Sequence, residues 1–228
     1  MTTTQGPGDG AAVRASALRD ALGRDRLMAI VRYRSGGDVS GAIEGLARGG
    51  LRVMEVTVDT PGAWEAIEAA AARPELIVGA GTVTEPYQVE RLAALGGRFV
   101  VSPGFDSDVV KAALDRGLEA VPGVATGTEV LAARRAGAQF FKLFPAGSLG
   151  ARYLAELRGP FGRESFVPTG GIKTAELGDW LRAGAFAVAL GGELAGRTAP
   201  AGEDEIEAMA ARTRAALDLA RSADGTVA

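Results

Sequence analysis

The feature that most constrains this chain is a repeat. A short apolar run followed by an amphipathic stretch recurs eight times, at intervals of roughly 20–25 residues. The runs are Leu27–Arg32, Arg52–Val58, Leu76–Val83, Arg98–Gly104, Leu118–Ala125, Gln139–Ala146, Ser165–Gly171 and Phe186–Gly192. They are apolar on both faces and rich in β-branched and aromatic residues, as strands of a parallel sheet are when helices cover it. Between them, Val39, Ile43, Leu46 and Ala47, and again Val109, Val110, Ala113 and Leu114, fall at helical spacing. Gly49-Gly50, Gly96-Gly97, Gly117, Gly137 and Gly184 stand where a left-handed residue closes a helix. A last helix is expected from Glu203 to about Arg221. The predicted class is α/β, a (β/α)8 TIM barrel. An open doubly wound sheet is the alternative, and eightfold regularity favours closure because a closed ring leaves no edge strand to protect.

At 228 residues the chain suits one barrel, which takes roughly 250. The expected division is a tail and first helix over 1–25, the barrel over 26–222 and a tail over 223–228. The net charge of −3 gives no basic face for nucleic acid. No stretch approaches the ~20 apolar residues of a membrane span. The opening residues lack the basic start and apolar run of a secretory signal, so a cytoplasmic location is the default expectation.

The chain has no histidine and no cysteine. Neither a Ser-His-Asp nor a Cys-His device can be built, and zinc loses its main ligands. No metal and no cofactor is expected. A nucleophile must be Lys, Ser, Thr, Asp, Glu or Tyr, and a proton carrier must come from a similarly short set.

Lys142 stands out, because it interrupts the apolar run Phe140-Phe141-Lys142-Leu143-Phe144. Alternation puts Phe140, Lys142 and Phe144 on one face and Phe141 and Leu143 on the other. Burial inside a barrel would favour the neutral amine, which attacks ketones and leaves an iminium that accepts electrons. The structural alternative is a lysine held in an ion pair or snorkelling at the strand end. Glu55 likewise interrupts Met54-Glu55-Val56-Thr57-Val58, either as a proton shuttle of raised pKa or merely as the ion-pair partner of Lys142. Gly79-Ala80-Gly81-Thr82, Ser102-Pro103-Gly104 and Pro168-Thr169-Gly170-Gly171 end their runs, and Gly170-Gly171 and Gly191-Gly192 follow the seventh and eighth, where barrels often hold phosphate.

Taken in order, Glu55-Val56-Thr57, Gly79-Ala80-Gly81-Thr82-Val83, Ser102-Pro103-Gly104, Phe141-Lys142-Leu143-Phe144-Pro145-Ala146 and Pro168-Thr169-Gly170-Gly171-Ile172 resemble the bacterial 2-keto-3-deoxy-6-phosphogluconate (KDPG) aldolases. That family includes 4-hydroxy-2-oxoglutarate (KHG) aldolases, and the resemblance runs from about Arg26 to Ala195. It implies a metal-independent class I aldolase, usually a homotrimer, that cleaves a small 2-keto acid to pyruvate and an aldehyde. Lys142 would form the Schiff base and Glu55 would move protons through a water. Thr82 and Thr169 would contact the pyruvate carboxylate or hydroxyls, Pro103 would line the pocket, and Phe144 would pack on pyruvate. Gly170, Gly171, Gly191 and Gly192 would cradle a distal phosphate. The same iminium could expel carbon dioxide from oxaloacetate.

The chain departs from that pattern twice. Asp59 stands where many relatives carry a carboxylate-binding Arg, so Arg32 is expected to take that duty while Asp59 pairs with a neighbouring cation. Glu193 stands where a Ser usually donates to the phosphate, and a carboxylate repels a phosphate dianion unless it turns away. A non-catalytic barrel that binds a keto acid or phosphate is the competing function.

Overall fold

The structure is a computed structural model that describes residues 16–223; the predicted terminal tails fall largely outside them. The strands are β1 (Leu27–Val31), β2 (Val53–Thr57), β3 (Ile77–Gly81), β4 (Phe99–Val101), β5 (Glu119–Val121), β6 (Gly123–Val124), β7 (Phe140–Leu143), β8 (Ser165–Pro168) and β9 (Val188–Leu190). The helices are α1 (Ala17–Asp25), α2 (Val39–Arg48), α3 (Ala63–Ala71), α4 (Pro86–Ala94), α5 (Ser107–Asp115) and α6 (Gly127–Arg135). They continue with α7 (Ala146–Leu149), α8 (Ala151–Arg158), α9 (Leu177–Arg182), α10 (Gly192–Ala195) and α11 (Glu203–Ser222).

All paired strands are parallel and the sheet closes on itself. One arc runs β5-β4-β3-β2-β1-β9 and the other β6-β7-β8. The arcs meet where the Phe186 amide donates to the Phe166 carbonyl at 2.8 Å and Thr169 bridges Ala189. The fifth run, expected as one strand, is two. Pro122 has no amide proton to give the ladder, so β5 pairs with β4 and β6 with β7 on either side of it. The Pro122 carbonyl still accepts from the Lys142 amide at 2.9 Å, which carries the wall across the break.

Strand alternation sorts the core into two shells. Met54, Val56, Phe141 and Leu143 face outward and pack under the helices. Val53, Met28, Phe99, Val101, Phe140 and Val167 face inward and fill the barrel. Glu55 has the parity of Val53 and Lys142 that of Phe140, so both point inside. A slip of one residue in either register would send them under the helices.

Helix α1 closes the N-terminal end of the barrel. Ser16 caps it by accepting from the Arg19 amide, and Leu18, Ala21 and Leu22 join the inner cluster. The Arg19 guanidinium lies 4.6 Å from the Phe140 ring centroid and 5.2 Å from that of Phe186, and donates to Ser165 Oγ and the Gln139 carbonyl. Leu22 is 1% exposed. Leu22→Ala should therefore lower the free energy of unfolding by about 2–5 kcal/mol in a urea titration, as truncation of a fully buried leucine does.

Gly50, Gly96, Gly117, Gly137 and Gly184 are left-handed as expected, but Gly49 and Gly97 are not. A Cβ on Gly49 would lie 2.5 Å from Cβ of Thr213, so this glycine serves the close approach of α11 to α2.

Candidate active site

The C-terminal ends of the strands surround a cavity of about 840 Å³. Lys142, Glu55, Arg32, Thr82, Pro103, Phe144, Thr169, Gly170, Gly171, Gly191, Gly192 and Glu193 all line it, so the structure gathers the candidate catalytic and substrate-binding residues into one place.

Lys142 enters from β7 and is only 5% exposed. Its Nζ sits 5.1 Å from the centroid of the Phe144 ring, just past the strand end. Burial pushes the amine below its ordinary pKa; the nearby Glu55 charge opposes that shift and Arg32 adds to it. Glu55, on β2 across the cavity, is 1% exposed. Desolvation pushes its carboxyl above the usual range, against the pull of Lys142 and Arg32. Its Oε2 is buried without a hydrogen-bond partner among the described residues. A Cβ on Gly81 would stand 2.8 Å from Cδ of Glu55, so the bare glycine on β3 gives the carboxyl its room. Among the described residues no ion pair joins Lys142 to Glu55. Both groups are thus desolvated yet left open to a third party in the cavity.

Arg32 leaves the end of β1 and reaches over the mouth. Its Nη2 donates to Thr82 Oγ1 at 2.5 Å and its Nε to Thr57 Oγ1 at 3.5 Å. Thr82 holds a left-handed backbone with φ of 60°, which costs a β-branched residue on the order of 1–2 kcal/mol. That strain sets its hydroxyl against the guanidinium. The cation that pairs with Asp59 is Arg32 itself, at 4.0 Å between Nε and Oδ1. Both side chains are about half exposed, so the pair is weak and a bound carboxylate can compete for the arginine.

Thr169 is buried, and its hydroxyl donates to the Val167 carbonyl at 3.0 Å. In that arrangement it offers an acceptor, which suits a substrate hydroxyl better than a carboxylate. Gly170 and Gly171 follow with φ of 89° and 74°, and a Cβ on Gly170 would come 2.9 Å from the Phe144 ring. The Phe144–Pro145 peptide bond is cis.

At the far end of the cavity, Glu193 from α10 turns onto the turn that follows β8. Its Oε2 accepts from the Thr174 amide at 2.9 Å and from Thr174 Oγ1 at 3.1 Å. Three cations here, Arg34, Lys173 and Arg197, also line the cavity. None of them forms an ion pair among the described residues. Sequence reasoning missed all three. Their one signal was position: Arg34 lies two residues beyond Arg32, Lys173 two beyond Gly171, and Arg197 just past the Gly196 that ends α10.

A sequence profile of the family described as KDPG and KHG aldolase matches residues 18–209. The 2-dehydro-3-deoxy-phosphogluconate aldolase of Dickeya dadantii is 41% identical over 138 residues, which is 60% of this chain and 65% of that relative, just under two thirds of its length. A probable 2-dehydro-3-deoxy-6-phosphogalactonate aldolase of Rhizobium meliloti is 35% identical over 195 residues, covering 84% of this chain and 91% of its own. Among solved structures, a KDPG aldolase from Legionella pneumophila, with pyruvate captured as a covalent carbinolamine, superposes with a TM-score of 0.73 at 27% identity, covering 91% of this chain and 98% of that one.

Proposed function

The chain belongs to the KDPG and KHG aldolase family, and from that premise we propose that it is a class I aldolase that cleaves a 2-keto acid with a hydroxyl at C4 to pyruvate and an aldehyde. One observation carries the chemistry: a desolvated amine and a desolvated carboxyl, Lys142 and Glu55, face the same cavity without being paired to each other.

In this mechanism the neutral Nζ of Lys142 adds to the C2 ketone to give a carbinolamine, and loss of water leaves the iminium. Glu55 takes the proton of the C4 hydroxyl through a water. The C3–C4 bond breaks, its electron pair passes into the iminium, and an enamine and a free aldehyde result. Protonation at C3 and hydrolysis then release pyruvate and restore the amine. Arg32 would hold the carboxylate, and Thr169 would accept from a hydroxyl of the substrate. Phe144 would cover the flat face of bound pyruvate. Oxaloacetate decarboxylation would use the same iminium, with carbon dioxide as the departing group.

The captured carbinolamine of the Legionella relative supports this reading. A barrel that only bound keto acids would have no use for the unpaired amine beside an unpaired carboxyl, each costly to bury. The proposal extends to a cytoplasmic homotrimer, on the strength of the family resemblance. Among the described residues no helix is long and apolar enough to cross a membrane.

Incubation with pyruvate and borohydride should leave one reduced pyruvate adduct per chain, mapped to Lys142 by peptide mass. An unlabelled protein, or a label on another lysine, would rule the mechanism out.

A further inference from the structure

The far end of the cavity is already supplied with negative charge. The Thr174 amide is taken by Glu193, and the preceding amide, that of Lys173, donates at 2.9 Å to Oε2 of Glu176. Both backbone donors that follow Gly170-Gly171-Ile172 are therefore spent on carboxylates of the chain itself. A phosphate dianion has acceptor oxygens alone and would meet the Glu193 carboxylate at close quarters, with the Lys173 and Thr174 amides already engaged. An uncharged hydroxylated group fares differently. Oε1 of Glu193 carries no hydrogen bond among the described residues and can accept one from a substrate hydroxyl.

Arg34, Lys173 and Arg197 do not reverse this. All three share the exposure of Glu193, so water and salt screen every charge at this end alike, and among the described residues none is ion-paired to Glu193, whose carboxylate is held in place by Thr174. Their positive field suits the carboxylate that every 2-keto acid carries and would hasten its capture.

We propose that Glu193 is a specificity-determining residue, a built-in anion that reserves the far end of the cavity for an aldehyde half bearing hydroxyls and no phosphate. The substrate class is then a non-phosphorylated 2-keto acid hydroxylated at C4 and beyond. This rests on the aldolase reading and adds the identity of the leaving half.

The test compares kcat/KM for a six-carbon 2-keto-3-deoxy sugar acid and for its 6-phosphate. The unmodified protein should favour the non-phosphorylated acid by at least about tenfold. Glu193→Ser removes the charge and frees the Thr174 amide, so it should move the ratio at least about tenfold towards the phosphate ester. Glu193→Gln keeps an acceptor on that amide and should move the ratio the same way by less. Inorganic phosphate should compete with substrate in Glu193→Ser and not in the parent. Preference of the parent for the phosphate ester, or a ratio that neither variant moves, would overturn the proposal while leaving the aldolase standing. The parent's ratio decides the matter even if a variant fails to fold. Absence of cleavage of both acids, together with no borohydride adduct, would overturn both.

Discussion

Lys142→Ala is expected to lower kcat/KM for carbon–carbon cleavage by at least about 10⁴-fold and to abolish labelling by pyruvate and borohydride. The size follows from what is lost. No other amine reaches the inward face of the barrel beside Glu55 among the cavity-lining residues; the cavity's one other lysine, Lys173, is exposed at the rim. Without the iminium, electrons released from the C3–C4 bond have no acceptor, and positioning alone cannot replace a covalent electron sink. Lys142→Met, which keeps the length and apolar stem, separates this from loss of packing: it should fold as well as the parent and be as inactive. The pH dependence has a definite sense. Because burial holds the amine below its ordinary pKa, the nucleophilic form is reached at lower pH than for an exposed lysine. Activity should rise with pH through that lowered value. An acid limb at the pKa of an ordinary lysine, or a Lys142→Met variant with measurable turnover, would contradict the assignment.

Glu55→Gln should lower kcat by about 10²–10⁴-fold, the span of general acid–base catalysis, yet leave trapping of pyruvate on Lys142 detectable. Loss of cleavage with retention of the adduct is the signature of a proton carrier; loss of both would make Glu55 a structural partner. The same variant has a stability consequence of opposite sign. Desolvation raises the Glu55 pKa in the folded chain, so between the ordinary carboxyl value and the raised one the folded state holds the proton and the unfolded state has released it. Parent stability should fall as pH rises through that window. Glutamine does not titrate, so its stability relative to the parent should be greater above the window than below it. Urea unfolding of both proteins at pH 4 and at pH 8 measures this, and an advantage confined to pH 4 would refute it.

Lys142 and Glu55 were legible in the sequence because each breaks a run that is otherwise apolar on both faces, and a charge there has to be accounted for. Alternation then correctly grouped Lys142 with Phe140, although the choice of which face looks inward needed the ring of neighbouring strands. The barrel itself was legible from period and length. The break at Pro122 was visible as a residue, but its effect depends on β5 and β6 having different partners, which no local pattern records. Arg34, Lys173 and Arg197 were missed because charged residues in turns look like any solvated loop; only the folded ring brings their turns to one rim. Glu193 was suspected of repelling phosphate, but the Thr174 amide it rests on lies 19 residues earlier in the chain. Asp59 is expected to pair with a neighbouring cation, and that cation is Arg32, the same arginine expected to bind the substrate carboxylate.

Helix α1 has a kinetic corollary. With Leu18 and Leu22 plugging one end of the barrel, the cavity is a blind alley for reactants. In the proposed mechanism Lys142 would tether the three-carbon fragment inside, and the severed aldehyde would lie nearer the opening. The aldehyde would therefore depart first and pyruvate last. Run backwards, condensation would load pyruvate before the aldehyde, an ordered sequence that follows from the tether and the plugged floor.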